Sequence, residues 1–361
     1  MFRRTSSRKA SDVCKHLADD MKSLSACGEA SEEQALQIRS SVSADVQKHL
    51  ADIFEVFKDV VEGSSPGDAV ASDVEELLTE FLAADLPALM VGNMVQLEFE
   101  VRKNVIRLFS VLLRLNHMPS ADHQVLEYVR THPSFFSLLI DGYANHEIAT
   151  HCGMMLRSCA RRQQLVEVFW STPDFVHRLH RYTRHESFDI SSDAFSTLHD
   201  FLLIHKEQSS THLDENFLEF FTQYNALLQG DDYVTQRQAL KLLSEILLDL
   251  CFQKVMLRYI GDEHFLQIHM NLLRGDSKAM QFEAFHVFKI FVANPQKPPR
   301  IAQILFKNKE RLVNRLEAIK ANKPDKNFAE DMKTVIEKLQ LLELPSKPSV
   351  ERERPQETDA A

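Results

Sequence analysis

The sequence predicts an all-α fold built from helical repeats, and two observations carry this prediction. Long segments place apolar residues at positions i, i+3, i+4 and i+7, which is typical of amphipathic helices, and no alternating strand pattern competes with them. In the later segments a small residue recurs with a period near 45, within the range of about 40–47 residues of HEAT and armadillo repeats. We therefore expect an armadillo/HEAT-like right-handed solenoid, a rod with a concave binding face.

The N-terminal half contains several of these helical segments in succession. The pattern begins in VQKHLADIFEVFKDVV and stops in EGSSPGDAVAS, where glycine, serine and proline predict a break. VEELLTEFLAADLPALM resumes the helical spacing, and VRKNVIRLFSVLLRL continues it. Pro133 and Pro173, in THPSFF and STPDFV, are each predicted to begin a helix after a His or Thr cap.

Four later segments align with one another and define the repeat: YANHEIATHCGMMLRSCA, FDISSDAFSTLHDFLLIHK, YVTQRQALKLLSEILLDL and MQFEAFHVFKIFVANP. The small residues that align are Cys152, Ala194, Ala239 and Ala284, which are 42, 45 and 45 residues apart, and Asn104 fits an earlier member. Small residues at one helical position allow helices to pack closely. We expect these positions to be buried between helices.

The stretch His146-Glu147-Ile148-Ala149-Thr150-His151 is close to the zinc motif H-E-x-x-H, with one residue too many. On a helix, a separation of five turns the second histidine roughly 140° from the first, so the two rings would not reach one metal. Two interpretations stay open, a hidden metal site that includes Cys152 and an ordinary repeat helix. The spacing favours the repeat helix, with Cys152 as a small buried hydrophobe.

The two ends of the chain differ from the middle. MFRRTSSRK predicts a flexible tail over residues 1–10, and a single helical-repeat scaffold domain is expected over 11–344. FAEDMKTVIEKLQLLELP predicts a last helix through Leu342. SKPSVERERPQETDAA is rich in proline and charge, so residues 345–361 are expected to be disordered.

Composition and missing motifs narrow the functional class. The formal net charge of −10 disfavours a nucleic-acid-binding solenoid. Five scattered cysteines without a C-x-x-C pair fit a reducing compartment, and no apolar run approaches 18 residues. Phosphate-binding, calcium-loop and nucleophile motifs do not occur. We therefore expect a protein that is not an enzyme, with no catalytic residue, metal site, cofactor or membrane insertion.

The segments HEIATHCGMMLRSC, FDISSDAFSTLHDFLLIHK, YVTQRQALKLLSEILLD and MNLLRGDSKAMQFEAFHVFKIFVANPQK closely resemble the calcium-binding-protein-39 family, the morula-protein-25-type kinase scaffolds. The match is specific from Tyr143 to Asn308. The resemblance implies a cytoplasmic scaffold, monomeric when free, that binds and allosterically activates a sterile-twenty or germinal-centre-type kinase or pseudokinase. It does not name the partner kinase or the pathway.

The resemblance also implies a C-terminal pocket for a Trp-Glu-Phe-type tail of the partner. Arg237 and Lys241 are four residues apart, and so on one helix face, where they could pair with a glutamate or a terminal carboxylate. Met270 offers an adaptable apolar wall, Lys307 a third cation and Phe188 an aromatic contact. Without the resemblance, the sequence favours a solvated face for Arg237 and Lys241 and a core position for Met270.

One departure from the family concerns its contact with the kinase body. Where the family has arginine and, three residues later, phenylalanine, this chain has Leu250 and Gln253, and Phe252 is displaced by one position. Loss of an arginine at the centre of an interface can cost a few kcal/mol. An alternative function is therefore a helical-repeat adaptor that tethers protein partners without activating a kinase, and the need for a pseudokinase stays open.

Overall fold

The computed structural model describes residues 7–28, 31–62, 68–172, 174–319 and 326–343. Within these ranges the chain forms α-helices, short 3-10 turns and connecting loops, and no β-strand occurs. The predicted all-α class is confirmed.

The chain divides into two compact units, residues 1–238 and 239–361. The helices of the first unit are α1 (Ser7–Ser25), α2 (Glu32–Glu62), α3 (Asp68–Ala83), α4 (Leu86–Gly92), α5 (Phe99–Leu112), α6 (Pro119–Thr131), α7 (Pro133–Asp141), α8 (Ala149–Ala160), α9 (Gln163–Ser171), α10 (Phe175–Tyr182), α11 (Phe188–Leu203), α12 (Lys206–Glu215) and α13 (Phe217–Leu228). The division falls within α14 (Tyr233–Leu248). The second unit continues with α15 (Gln253–Tyr259), α16 (Glu263–Arg274), α17 (Lys278–Ala293), α18 (Pro299–Ala318) and α19 (Lys326–Gln340).

Helices of the first unit pack on the helix three positions further along the chain. One row runs through α2, α5, α8 and α11, a second through α3, α6, α9 and α12, and a third through α4, α7, α10 and α13. A contact between every third helix means that the repeating unit has three helices, as in armadillo repeats. The predicted helical-repeat architecture is therefore confirmed, and its repeat is of the armadillo type.

The small residues that defined the repeat lie where the sequence predicted. Cys152, Ala194, Ala239 and Ala284 are fully buried, on α8, α11, α14 and α17, which are again every third helix. Asn104 lies at the corresponding place on α5 and is half-buried. A small side chain here keeps the helix axis close to its neighbours.

In the second unit, α16 packs against α17 and α18, and α19 packs against both α17 and α18. The aromatic ring of Phe328 anchors α19, with ring centroids 4.7 Å from Phe282 and 5.1 Å from Phe285. Lys289 on α17 also forms an ion pair with Asp331 on α19. The last predicted helix is therefore part of the packed unit, and it ends at Gln340, two residues before the predicted end.

One predicted segment is interrupted in the structure. VEELLTEFLAADLPALM forms two helices, because Asp85 adopts a left-handed backbone with φ of 55° and Pro87 lies at the start of the next helix. A proline in the first turn of a helix loses no hydrogen bond, because the first backbone N–H groups of a helix have no partner within it. The hydroxyl of Tyr128 donates to the Asp85 carboxylate and holds the turn.

The two prolines that were expected to start helices have different outcomes. Pro133 begins α7 as predicted, but His132 does not cap the helix through its side chain. Its ring nitrogen Nδ1 instead lies 2.8 Å from the Tyr128 carbonyl oxygen. Pro173 lies outside the described residues, and the next helix begins at Phe175.

The expected tails stay predictions. Residues 1–6 and 344–361 lie outside the described residues, and α1 already begins at Ser7. Among the helices that the structure describes, none combines the length and the apolar character that a membrane span requires.

Candidate partner-binding surfaces

The H-E-x-x-H-like stretch does not form one helix. His146 lies in a turn, and α8 begins only at Ala149, so the assumption that both histidines share a helix is wrong. His151 is buried on α8, where its ring meets Phe99 edge to face at 5.9 Å between centroids. Burial lowers the pKa of His151, so the neutral ring that packing requires is favoured.

Glu147, the residue that a zinc hydrolase would use as its base, is held by an arginine. Arg102 Nη2 donates to Glu147 Oε2 at 2.8 Å, and the hydrogen bond from Arg102 lowers the pKa of this carboxyl. A general base for chemistry near neutral pH instead needs a pKa close to the operating pH. In the described ranges no group of three or more His, Cys, Asp or Glu side chains is placed to hold a metal ion.

Cys152 is a buried packing residue, which confirms the structural interpretation of this position. Its side chain is fully buried, and burial raises the pKa of its thiol to about 12. A Cβ added to Gly142 would be 3.1 Å from the Cys152 Cβ and nearer still to its sulfur. The glycine in the turn before α8 therefore makes room for the cysteine.

Arg237 and Lys241 are both exposed on α14, one helical turn apart. The opposite face of this helix is apolar and buried, through Ala239, Leu243 and Ile246. The helix therefore presents the two cations on one exposed face, and the sequence had placed them on the same face.

The other three predicted pocket residues differ in their accessibility. Met270 is half-buried on α16, Lys307 is exposed on α18, and these two helices pack against each other. Phe188 is the first residue of α11, and its side chain is 61% exposed. An exposed phenylalanine and a partly accessible methionine suit contact with an aromatic ligand. Assembly of the five side chains into one pocket remains a prediction from the resemblance.

The positions that depart from the family lie at the surface in the second unit. Leu250 is 87% exposed in a short 3-10 turn that follows α14, and Gln253 is exposed as the first residue of α15. Phe252 between them is fully buried, so it does not replace the missing surface phenylalanine. Leu248 and Leu257, which are close in the chain, are also half exposed, and Leu250 stands where the resemblance implies a cation.

A groove that the sequence did not predict lies in the first unit, against α2, α5, α8 and α11. Its volume is about 850 Å³, and its lining includes five arginines, Arg107, Arg114, Arg157, Arg161 and Arg162. A signal was present in the sequence, because Arg107 and Arg114 are seven residues apart and Arg157 and Arg161 four, spacings that would place each pair on one face of a continuous helix. In the structure the second arginine of each pair lies just past the end of its helix. Only the packing of α5 beside α8 brings the pairs together.

A partly buried hydrogen-bond network stabilises the wall of this groove. Arg157 makes two charge-assisted hydrogen bonds to the Asp193 carboxylate, at 2.8 and 2.9 Å. The hydroxyl of Tyr143 donates to the same carboxylate at 2.8 Å and lies 2.8 Å from the Thr197 hydroxyl. A paired guanidinium with satisfied partners is held rigidly, so this side of the groove is preformed.

Comparison with known proteins relates the whole helical region to one family. A family model described as Mo25-like matches residues 1–343. The chain is 40% identical over 281 residues to the Mo25-like protein of Schizosaccharomyces pombe, covering 78% of this chain and 84% of that protein. It is 36% identical over 301 residues to the human calcium-binding protein 39-like, covering 83% and 87% of the two chains. Identity to the degreening-related gene dee76 protein of Auxenochlorella protothecoides is also 36%, with coverage of 83% and 92%.

Solved structures with a similar arrangement of helices include designed armadillo repeat proteins. One was designed for modular peptide recognition and is 12% identical, with a TM-score of 0.40 and coverage of 76% of this chain and 99% of that chain. A second, in complex with the peptide (KR)4, is 11% identical, with a TM-score of 0.39 and the same coverage.

Proposed function

The chain belongs to the Mo25-like family, and from this premise we propose that it is a non-catalytic scaffold that binds a sterile-twenty or germinal-centre-type kinase or pseudokinase and activates it allosterically. The observation that carries the proposal is the family match over residues 1–343, which extends through every described helix. The family resemblance inferred from the sequence is thereby confirmed, whereas the kinase partner and its activation are proposals.

Activation without catalysis requires that the scaffold binds the active kinase conformation more tightly than the inactive one. To move a kinase from about 1% to about 99% active, that preference must be roughly 10⁴-fold. A contact surface spread over several helical repeats is suited to read the shape of a folded kinase domain.

The proposal includes a pocket for a Trp-Glu-Phe-type tail of the partner. Arg237 and Lys241 pair with the glutamate or the terminal carboxylate, and Lys307 adds a third positive charge. Met270 and Phe188 contact the aromatic side chains. Support comes from the exposure of both cations on one face of α14 and from the exposed ring of Phe188.

The second candidate function is tethering without activation, and the surface around Leu250 favours it. An acidic residue of the kinase body would meet the exposed Leu250 and Gln253 here, where it finds no cation. Phe252 is buried and offers no aromatic contact. A buried, uncompensated carboxylate at an interface costs several kcal/mol. The partner body of this chain therefore presents a less polar contact, or the chain holds its kinase through the tail alone.

An activity assay separates activation from tethering. Full-length sterile-twenty-type kinases that end in Trp-Glu-Phe or a related aromatic tail are assayed alone and with the full chain. Activation predicts a severalfold rise in substrate phosphorylation by at least one kinase, and a smaller rise with Arg237→Glu. Co-purification without a change in activity indicates tethering, and a panel that neither binds nor responds contradicts both functions.

A restored family contact gives a second test of the kinase-body surface. In the double variant Leu250→Arg/Gln253→Phe both changed residues are exposed, so the fold should be retained. If this surface contacts the kinase body, the double variant changes activation while binding of the isolated tail peptide is unaltered. Equal kinase activation by the wild type and the double variant would exclude Leu250 from the kinase contact.

Cytoplasmic location and a monomeric free form complete the proposal. Both follow from the resemblance to the family and remain predictions. Sedimentation of the purified chain tests the second directly.

A further inference from the structure

We propose that the groove against α2, α5, α8 and α11 is a second binding site, which takes an acidic segment of a protein partner. The site uses none of the residues of the tail pocket, and it does not rest on the proposed kinase activation. Its residues all belong to the first unit of the chain.

The charges along the groove are unbalanced. Arg157 and Arg162 are paired, with Asp193 and Asp122, whereas the exposed side chains of Arg107, Arg114 and Arg161 form no hydrogen bond or ion pair with any described residue. Asp200 is the one carboxylate in the described lining. Three unpaired guanidiniums thus face one carboxylate, in a protein whose net charge is −10.

The spacing of these cations favours a segment with several carboxylates over a single anion. Arg107 lies on α5, and Arg114 lies seven residues further along the chain, just past the end of this helix. Arg161 directly follows α8, which packs beside α5. All the cations in the lining are arginines, whose fork binds a carboxylate through two parallel hydrogen bonds. Acidic residues one or two turns apart, or spaced along an extended strand, match this row.

An apolar side chain between the acidic residues would find a partner in the same groove. Met154 lies in the lining with 50% of its surface exposed, beside the half-buried Phe54 and the nearly buried Ile106. Methionine adapts to side chains of different shape. The volume of about 850 Å³ lies in the range that binds a compact ligand, so it holds a short peptide segment.

The groove needs little reorganisation to bind. Arg162 is fixed by two hydrogen bonds to Asp122, at 2.6 and 2.8 Å, and by a third to the Leu113 carbonyl oxygen. Arg157 is fixed by its ion pair with Asp193 on α11. A preformed wall lowers the entropy that binding must offset. Only the three unpaired arginines have to be ordered by the partner.

Selection from a peptide library tests the proposal. Random twelve-residue peptides, flanked on both sides by a fixed neutral linker, are displayed and selected on the full-length wild type and on Arg107→Glu/Arg161→Glu. The linker removes the free carboxyl terminus that the tail pocket is proposed to bind. A matched double reversal of exposed cations in the second unit, Lys254→Glu/Arg311→Glu, controls for net charge. Circular dichroism checks that each variant is folded.

The wild type and the matched control should enrich peptides with several Asp or Glu residues around an apolar one, and the groove variant should not. An enriched peptide is then expected to bind Arg107→Glu/Arg161→Glu at least tenfold more weakly than it binds the wild type. Its affinity for the wild type should be lower at 200 mM than at 50 mM NaCl. Equal enrichment on the groove variant, or peptides from the wild type without an excess of acidic residues, would overturn the proposal.

Discussion

At the scale of single residues, Gly153 leaves room for the partly buried Arg157–Asp193 pair. A Cβ at this position would be 2.5 Å from the Tyr143 hydroxyl and 2.9 Å from Asp193 Cγ. Gly153→Ala should therefore displace the carboxylate and leave buried polar groups without partners. We expect a loss of about 2 kcal/mol in the free energy of unfolding, even after the better helix propensity of alanine is included. Urea denaturation monitored by circular dichroism measures it.

Gly92 provides the matched control, because it is also a helical glycine and a Cβ there would meet nothing within 4 Å. Gly92→Ala should be neutral or should stabilise by up to about 1 kcal/mol. Equal effects of the two substitutions would show that Gly153 is not sterically required by the network.

The buried His180 is expected to make the free energy of unfolding depend on pH, and burial determines the sign of this dependence. Burial, with a smaller contribution from His177, lowers the pKa of His180 to about 3, and neither ring nitrogen has a hydrogen-bond partner in the described part of the chain. Between pH 6.5 and 3 the unfolded chain binds a proton that the native ring does not. The stability contributed by neutral His180 is thus complete above about pH 6.5 and falls by up to about 1.4 kcal/mol per pH unit below it.

His180→Leu should remove this dependence, because leucine has a similar size and does not titrate. Urea denaturation at pH 6.5 and at pH 5 gives the free energy of unfolding at each pH. The decrease in this free energy from pH 6.5 to pH 5 should be about 2 kcal/mol smaller for the variant than for the wild type. His269, whose pKa is also lowered to about 3 by burial, maintains part of the slope in both proteins. An identical slope in the two proteins would mean that His180 is hydrated in solution.

Residue-level prediction from the sequence succeeded where a role depends on residue type and repeat position. Cys152 was expected to be a small buried hydrophobe, and its side chain is fully buried. The roles of Gly142 and Gly153 could not be predicted, because each depends on a side chain that only the folded packing brings near. Neither glycine has a left-handed backbone that would mark it from the sequence.

At the scale of the helix, the repeat register makes a testable distinction on α17. Ala284 is fully buried at the register position, whereas Ala293 is exposed at the end of the same helix. Ala284→Leu should overpack the contact between helices and destabilise by about 1–3 kcal/mol, and Ala293→Leu should change stability by less than about 0.5 kcal/mol. Thermal and urea denaturation of both variants measure the difference. Equal effects would contradict the assignment of Ala284 to a close helix contact.

Helices were predictable from apolar spacing, but their ends were less so. FDISSDAFSTLHDFLLIHK and YVTQRQALKLLSEILLDL form α11 and α14 almost as expected. The break between α3 and α4 was missed, because Asp85 reaches its left-handed conformation with support from the distant Tyr128. His146 was wrongly assigned to a helix, since the turn before α8 contains no proline that would have marked it.

At the scale of the whole molecule, the period of the sequence predicted the repeat but not its surfaces. A spacing of 42 to 45 residues allowed either two or three helices in each repeat, and only the packing of every third helix decided for three. The packing of α5 beside α8 also forms the arginine groove, which the cations of either helix alone do not predict. The net charge is a sum over the whole composition, so it does not indicate where a local positive surface lies.

The scaffold proposal rests on the family and on the face that α14 presents. Arg237 and Lys241 lie on that face as predicted, whereas Leu250 and Gln253 change the adjacent surface. The proposed tail pocket and the proposed kinase-body contact thus involve different residues, and binding of the tail is the property on which the scaffold proposal depends most.

Fluorescence polarisation of a labelled peptide that ends in Trp-Glu-Phe, with its free carboxylate, tests this most directly. The full chain is predicted to bind it, Arg237→Ala and Met270→Ala to bind at least tenfold more weakly, and Arg130→Ala, an exposed arginine on α6, to bind like the wild type. Circular dichroism shows whether each variant is folded. Absence of binding by the folded wild type, or unchanged binding by Arg237→Ala and Met270→Ala, would contradict the tail pocket and with it the proposed mode of kinase recognition.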